Sequence, residues 1–211
     1  MASQIVQQGA PRRRRKEARP GEIIEAGLAE FAARGFAAAT LDDVARRAGI
    51  AKGTIYRYFP SKEALFEAAV LSLEAPLAGE VERMIDAFPG PAADLLRLVI
   101  GEMYAKLFQP ELQTLMQIII SEGGRHPAIA AFYHRQMIAM GRRLLGRIVA
   151  RGVASGEFRD GAIAQTPLIL IAPAIMATIW KMNFDAFEPL DLRKFAEAHL
   201  ELVLDGLRAR E

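Results

Sequence analysis

Between residues 40 and 62 the chain gathers side chains suited to holding a polyanion. Lys52-Gly53-Thr54 opens a short helical stretch that runs to Tyr58. Gly53 lets another backbone approach closely, and the free amides at a helix N-terminus attract phosphate. Tyr56, Arg57 and Tyr58 add two hydroxyls and a guanidinium, while Ile55 and Phe59 face a core. A helix that is short, small or polar at its N-terminal end, and flanked by phosphate-binding groups is one the major groove of DNA admits.

No other constellation carries chemistry as clearly. The three histidines, His126, His134 and His199, lie in different settings, and there is no cysteine. His126 and His134 share a helix face only if that helix begins before Pro127, and His199 sits in an apolar stripe. No GxSxG, HExxH, P-loop or Rossmann glycine pattern is present. No catalytic residues, no metal site and no cofactor are therefore expected, and an enzyme is the rejected alternative.

The positioning elements are helices. Ile23, Ile24, Leu28 and Phe31 recur at helical spacing until Gly35 stops the run. Thr40, with an acid three residues on, resembles a capping box and starts a helix that Gly49 ends. A second short helix fits Lys52 to Tyr58, and Ser61 caps a longer one beginning at Lys62. Two short helices joined by a glycine turn, with a third packed before them, make a helix-turn-helix. Beyond it Pro76 is expected to interrupt the fourth helix, and a segment from Ala92 to Phe108 and a helix from Pro110 follow. A long helix over 128–154 carries Arg142, Arg143, Arg147 and Arg151 on its solvent side, and two helices over about 160–184 and 190–208 close the chain. Strand-like alternation is absent, so the fold class is all-α: an N-terminal three-helix helix-turn-helix domain over 18–62 and a larger helical ligand-binding and dimerisation domain over 63–211. Residues 1–17, with the run Arg12-Arg13-Arg14-Arg15-Lys16, read as a disordered basic tail, with a contact in the DNA minor groove and no contact at all as the two alternatives.

Charge follows the same division. Residues 1–62 carry 12 Lys/Arg against 6 Asp/Glu, and the remainder carry 15 against 19. A basic head on a mildly acidic body suits an N-terminal part that meets a polyanion. The absence of cysteine fits a reducing compartment and excludes a disulfide scaffold. No long apolar run precedes the basic cluster, so no secretory signal is expected. Ala162 to Trp180 holds no charge and is long enough to span a bilayer, but Gln165, Thr166, Pro167, Pro173 and Thr178 favour burial within protein.

The run Phe31-Ala32-Ala33-Arg34-Gly35-Phe36, then Thr40-Leu41-Asp42-Asp43-Val44-Ala45, then Ala48 to Phe59 with Lys62-Glu63-Ala64-Leu65, resembles the N-terminal domain of the TetR family of transcriptional regulators. The resemblance implies a cytoplasmic homodimer that binds a palindromic double-stranded DNA operator and is released by a small-molecule effector, without membrane association. Position by position it implies that Thr40 contacts a phosphate, and that Lys52, Gly53 and Thr54 lie at the groove-facing end of the recognition helix. Tyr56 and Tyr58 would contact the DNA backbone, Arg57 a base edge, and Lys62 a phosphate from the fourth helix. Each has a plainer alternative: Thr40 as helix cap only, Tyr56 and Tyr58 as core aromatics, Lys62 as a solvated lysine. Ala51 departs from the family, where Ser is frequent, and one backbone hydrogen bond is expected to be missing.

The segment Leu115 to Glu122, followed by His126-Pro127 and Phe132-Tyr133, more loosely resembles the C-terminal domains of multidrug- and stress-related members. Met103, Tyr104, Leu107, Phe108, Met116 and Ile120 are the candidate lining of an apolar ligand cavity, with plain core packing as the alternative; Glu122, Arg125 and His126 are candidate polar anchors, with exposed loop residues as the favoured alternative. The last two helices, through Ile175, Ile179, Phe195, His199, Leu200 and Val203, are the expected dimer interface, packing as a four-helix bundle on a two-fold axis. Repression is expected rather than activation, since no second module remains to recruit polymerase.

Overall fold

The computed structural model describes residues 12–209, and within them the chain is helical with no strand, only an isolated bridge between Phe158 and Arg208. It divides into two compact units, the first ending at Ala69. In the first unit α1 (Arg12–Arg34), α2 (Leu41–Arg47) and α3 (Lys52–Tyr58) pack with the start of α4 (Lys62–Ala87). The boundary lies inside α4 rather than at residue 62, because Leu65, Phe66 and Ala69 are fully buried in this first core. The helix α1 begins at Arg12, which corrects the expected tail over 12–17; Arg, Lys, Glu and Ala are good helix formers, and Pro20 removes only one ladder hydrogen bond. Residues 1–11 lie outside the described residues.

Ile23, Leu28 and Phe31 of α1 face inward as their spacing requires, beside Phe36, Val44 and Ile55. The Phe31 and Phe36 rings lie 5.1 Å apart, and Phe36 meets Phe66 edge-on at 6.0 Å. Gly27 sits beneath Leu65, where an added Cβ would come within 2.7 Å of Leu65 Cδ2, so the close approach of α1 and α4 depends on that glycine. Gly49 closes the turn after α2 at φ +64°, in the left-handed region that glycine adopts without strain. Buried Glu30 accepts from Arg47 at 2.8 Å and from Arg34 at 3.5 Å, tying α1 to α2 through an acid that would be costly to leave unpaired.

The second unit contains the rest of α4, then α5 (Ala92–Leu107), α6 (Pro110–Glu122), α7 (Pro127–Tyr133), α8 (Ala139–Ala154), α9 (Ala162–Gln165), α10 (Ala172–Asn183) and α11 (Leu192–Leu207). Pro76 lies inside α4 without ending it, which corrects the expected interruption; the rest of the i→i−4 ladder carries the helix through. The expected single helix over 128–154 contains a π turn at His134–Ile138, where a widened turn re-aims the residues that follow. The uncharged stretch from Ala162 is not one helix: Thr166 leaves helical geometry before Pro167, and a 3₁₀ turn (Pro167–Leu170) separates α9 from α10. No helix among the described residues is long and apolar enough to cross a membrane.

The core of this unit joins Leu95, Leu96 and Ile100 of α5, Ile148 and Val149 of α8, and Leu204 and Leu207 of α11. Arg143 donates to Glu82 at 2.6 Å, Arg147 pairs with Asp86, and Arg151 donates to the Gly90 carbonyl at 2.6 Å, so one row of α8 arginines holds the C-terminal end of α4 and the turn after it. Pro91 has no side chain with which to cap α5. Glu157 does so from the end of α8, accepting from the amides of Ala92 at 3.0 Å and Ala93 at 3.1 Å.

Burial raises the Glu157 pKa, but the two amides, the Ser155 hydroxyl and Arg151 outweigh it and leave it below the usual carboxylate value of 4.5. A depressed folded-state pKa contributes stability above the unfolded value and loses it as pH falls through the folded one. Glu157→Ala is therefore expected to lower unfolding free energy by about 1 kcal/mol at pH 7. The gap to wild type should close as denaturant melts are taken below pH 4.5. A gap independent of pH would show that the cap does not act through its charge.

Candidate functional site

Each residue of the expected DNA-facing set can be placed in the first unit. In α3, Ile55 is fully buried and Phe59 follows it inward, so Lys52, Gly53, Tyr56 and Arg57 face outward and Thr54 and Tyr58 are half-buried. Nothing lies within 4 Å of a Cβ placed on Gly53, so the protein itself imposes no need for glycine there. No side chain caps α3 at Ala51, and the Thr54 amide bonds to the Ala51 carbonyl at 2.8 Å.

The charges are arranged unequally. Arg57 has no hydrogen bond or ion pair among the described residues; its guanidinium lies over the Tyr58 ring at 5.4 Å, exposed and available. Lys52 Nζ is 2.7 Å from Asp42 Oδ2, and the Tyr56 hydroxyl donates to the other Asp42 oxygen at 3.4 Å. The Asp42 hydrogen bond, with its charge, raises the Lys52 pKa above the usual lysine value. Thr40 caps α2: its oxygen accepts from the Asp43 amide at 3.2 Å while its proton goes to Asp43 Oδ2 at 2.6 Å. A phosphate contact from this hydroxyl would require that proton to turn away. The same Asp43 carboxylate holds Arg46 at 2.9 Å and Arg34 at 3.1 Å, and the Thr40 hydrogen bond is the leading cause of its lowered pKa.

Lys62 is already engaged within its own chain. Its ammonium donates to the carbonyls of Phe36 at 2.8 Å, Ala37 at 2.9 Å and Ala39 at 3.5 Å, and lies 4.7 Å above the centre of the Phe36 ring. An ammonium has three protons, and here three carbonyls of the turn after α1 take them. In the free protein Lys62 thus clamps the turn that delivers Thr40 to α2.

In the second unit an apolar cavity of about 200 Å³ is bounded by α4, α5, α6, the end of α7, the π turn, α8 and α10. Met103, Leu107 and Met116 line it, as the sequence suggested. Tyr104, Phe108 and Ile120 do not, and the expected set is corrected there. Tyr104 is buried with its hydroxyl 3.1 Å from His199 Nδ1, Phe108 stacks on its ring at 6.2 Å, and Ile120 is exposed. Sequence reasoning missed Met137 and Met140, which the π turn and the start of α8 bring into the wall, so that four of the chain's eight methionines gather there. The clustering of these residues along the chain was a signal that periodicity alone did not use. Of the polar anchors, Glu122 is buried with His126 Nε2 3.7 Å from its carboxylate, and neither residue, nor Arg125, is in the cavity wall.

The expected dimer surface is also redrawn. His199 and Val203 are buried in their own chain, because α11 turns them toward α5 and the core. Burial lowers the His199 pKa below 6.5 despite the opposing Leu170 carbonyl, and it pushes Tyr104 up to about 12. Ile175 lines the cavity, Phe195 and Leu200 pack against the core, and Ile179 is half-buried. The exposed apolar side chains of this region are Met176 on α10, Phe184 and Phe187 after it, and Leu202 on α11.

Residues 23–69 match the family model of bacterial regulatory proteins of the tetR type, and residues 90–198 match that of the tetracyclin repressor-like C-terminal domain. The chain is similar to the Mycobacterium tuberculosis protein MftR, named as a candidate transcriptional regulator of mycofactocin biosynthesis, at 44% identity over 74% of this chain and 77% of that one. It is 26% identical to the fatty acid metabolism regulator protein of Bacillus subtilis, over 91% and 98% of the two chains. In fold it matches the fatty acid degradation regulator FadR of Bacillus halodurans with a TM-score of 0.76 at 19% identity, over 97% and 100% of the chains.

Two substitutions separate reading from clamping. Lys62→Met is expected to lower unfolding free energy by about 1.5–3 kcal/mol, the range for hydrogen bonds to a charged group. The salt dependence of DNA binding should remain unchanged. A slope reduced by about one unit with stability intact would instead return Lys62 to a phosphate. Arg57→Ala should leave stability alone and shrink the affinity ratio between a preferred and a random duplex. Equal losses on both duplexes would remove Arg57 from base reading.

Proposed function

The chain belongs to the TetR family of DNA-binding transcription regulators, and we propose that it works as a homodimeric repressor released from DNA by a small apolar ligand. The observation that carries this reading is the sharing of α4. Leu65 and Phe66 on that helix are buried beside the recognition helix's own core, while Ala78 and Val81 line the cavity. A ligand that displaces the cavity wall therefore acts on a helix that carries part of the DNA-binding head. Release follows if the ligand prefers the arrangement that DNA does not.

In this reading α3 enters the major groove, with Arg57 at a base edge and Gly53, which no neighbour requires to be small, against the DNA backbone. Lys52 and Tyr56 exchange Asp42 for phosphate; exposed ion pairs are worth little, so the exchange is cheap. Thr40, Thr54 and Tyr58 complete the contact. Two copies pair through the outward apolar residues of α10 and α11 and the segment between them, Met176, Phe184, Phe187 and Leu202, with Ile175, Ile179, Phe195 and Leu200 beneath. Two-fold symmetry then sets a palindromic operator with half-sites roughly 34–36 Å, or a multiple of that, apart. The protein acts in the cytoplasm and catalyses no reaction. The apolar ligand is supported by the cavity lining and by the name of the relative from Bacillus subtilis.

Selection of bound fragments from a random duplex library at one salt concentration should enrich a palindrome bound by a dimer. Leu202→Glu should give a monomer by light scattering and lose tight binding to that palindrome. A Leu202→Glu protein that remains a dimer would move the interface elsewhere. Compounds from an alkyl and aromatic panel that raise the melting temperature should lower operator affinity. Binders that leave operator affinity unchanged would overturn the release mechanism.

A further inference from the structure

We propose that the ligand is an amphipathic anion, an alkyl chain ending in a carboxylate, and that Lys106 selects its charged end. The inference rests on the cavity being the effector site and goes beyond it by assigning the ligand's charge. Of the described residues that bound the cavity, Lys106 is the one that carries a charge; the others are aliphatic side chains, methionines, Gly141 and Tyr133. The Tyr133 hydroxyl donates to Met116 Sδ at 3.3 Å. Lys106 is half-buried and has no hydrogen bond or ion pair among the described residues. Glu102, four residues earlier on α5, stands in the orientation that favours a helical ion pair, yet no pair forms.

The physical consequence concerns sign. An ammonium whose stem lies along an apolar wall has lost part of its hydration without gaining a counter-ion. An anionic end group on a ligand supplies that counter-ion through a charge-assisted hydrogen bond, whereas a neutral group gains less and a cationic one is repelled. Everything else in the wall suits a flexible hydrocarbon: methionine side chains adapt to a chain without a fixed shape. The wall thus specifies an apolar body, and Lys106 specifies the charge of one end.

The test is calorimetric titration of the full-length protein at pH 7.5 with three probes of one chain length: decanoate, decan-1-ol and decylamine. Decanoate is expected to bind tighter than decan-1-ol by about tenfold or more, with decylamine weakest. Lys106→Met should bring decanoate to within about threefold of decan-1-ol, and Lys106→Arg should keep the preference. Equal affinities for decanoate and decan-1-ol in the wild type, or a preference that survives in Lys106→Met, overturn the role of Lys106 and leave the apolar cavity reading standing. Failure of all three probes to bind overturns both readings. Circular dichroism of the two variants confirms that any change is not a loss of fold.

Discussion

A helix of seven residues cannot hold itself together in water, so everything α3 presents outward depends on what it buries. Ile55 has no exposure and Phe59 follows it into the core formed by Phe31, Phe36, Val44, Leu65 and Phe66. That anchoring sets the rotation of α3 about its axis, and with it the outward direction of Lys52, Gly53, Tyr56 and Arg57. The two glycines that turn the chain, Gly35 and Gly49, serve the same end by letting short helices cross without linkers. Glu30 adds a polar fixture between α1 and α2, satisfied by Arg47 and Arg34.

Around this core the basic residues divide by the strength of their partners. Lys62 is held by three carbonyls and a ring face. Lys52 faces a single exposed carboxylate, a pairing that a polyanion can replace. Among the described residues Arg57 meets the Tyr58 ring and makes no hydrogen bond or ion pair, so its donors are unspent. Residues of one charge type, close together in the chain, thus stand in three different settings: held by carbonyls, paired with one exposed acid, and stacked on a ring.

The second unit shows the same economy of short segments. The π turn at His134–Ile138 and the break at Thr166-Pro167 interrupt what would otherwise be long helices, and both occur beside the cavity or its neighbouring core. Helices that ran straight through would present a different set of side chains. The arginine row of α8 fastens α4 from outside while apolar residues of the same helix line the cavity from within, so α8 links the wall to the helix that enters the head.

Much of the head was legible in the sequence. Local rules operate there over a few residues: a Thr with an acid three positions on, a glycine at each turn, and apolar residues one helical turn apart. They placed α2, α3 and the start of α4 within a residue or so, and the family resemblance rested on the same run. The caps at Thr40 and Ser61 were equally local. What only the tertiary structure decided depends on partners distant in sequence. Lys62 meets carbonyls about 25 residues away, and Glu157 caps a helix some 65 residues earlier. Tyr104 finds His199 across 95 residues and so leaves the cavity wall that its helix position suggested. Spacing along a helix says which residues share a face, but only packing says whether that face meets a core, a cavity or another subunit. For that reason α3 was readable from its own seven residues, while α5 and α11 were not.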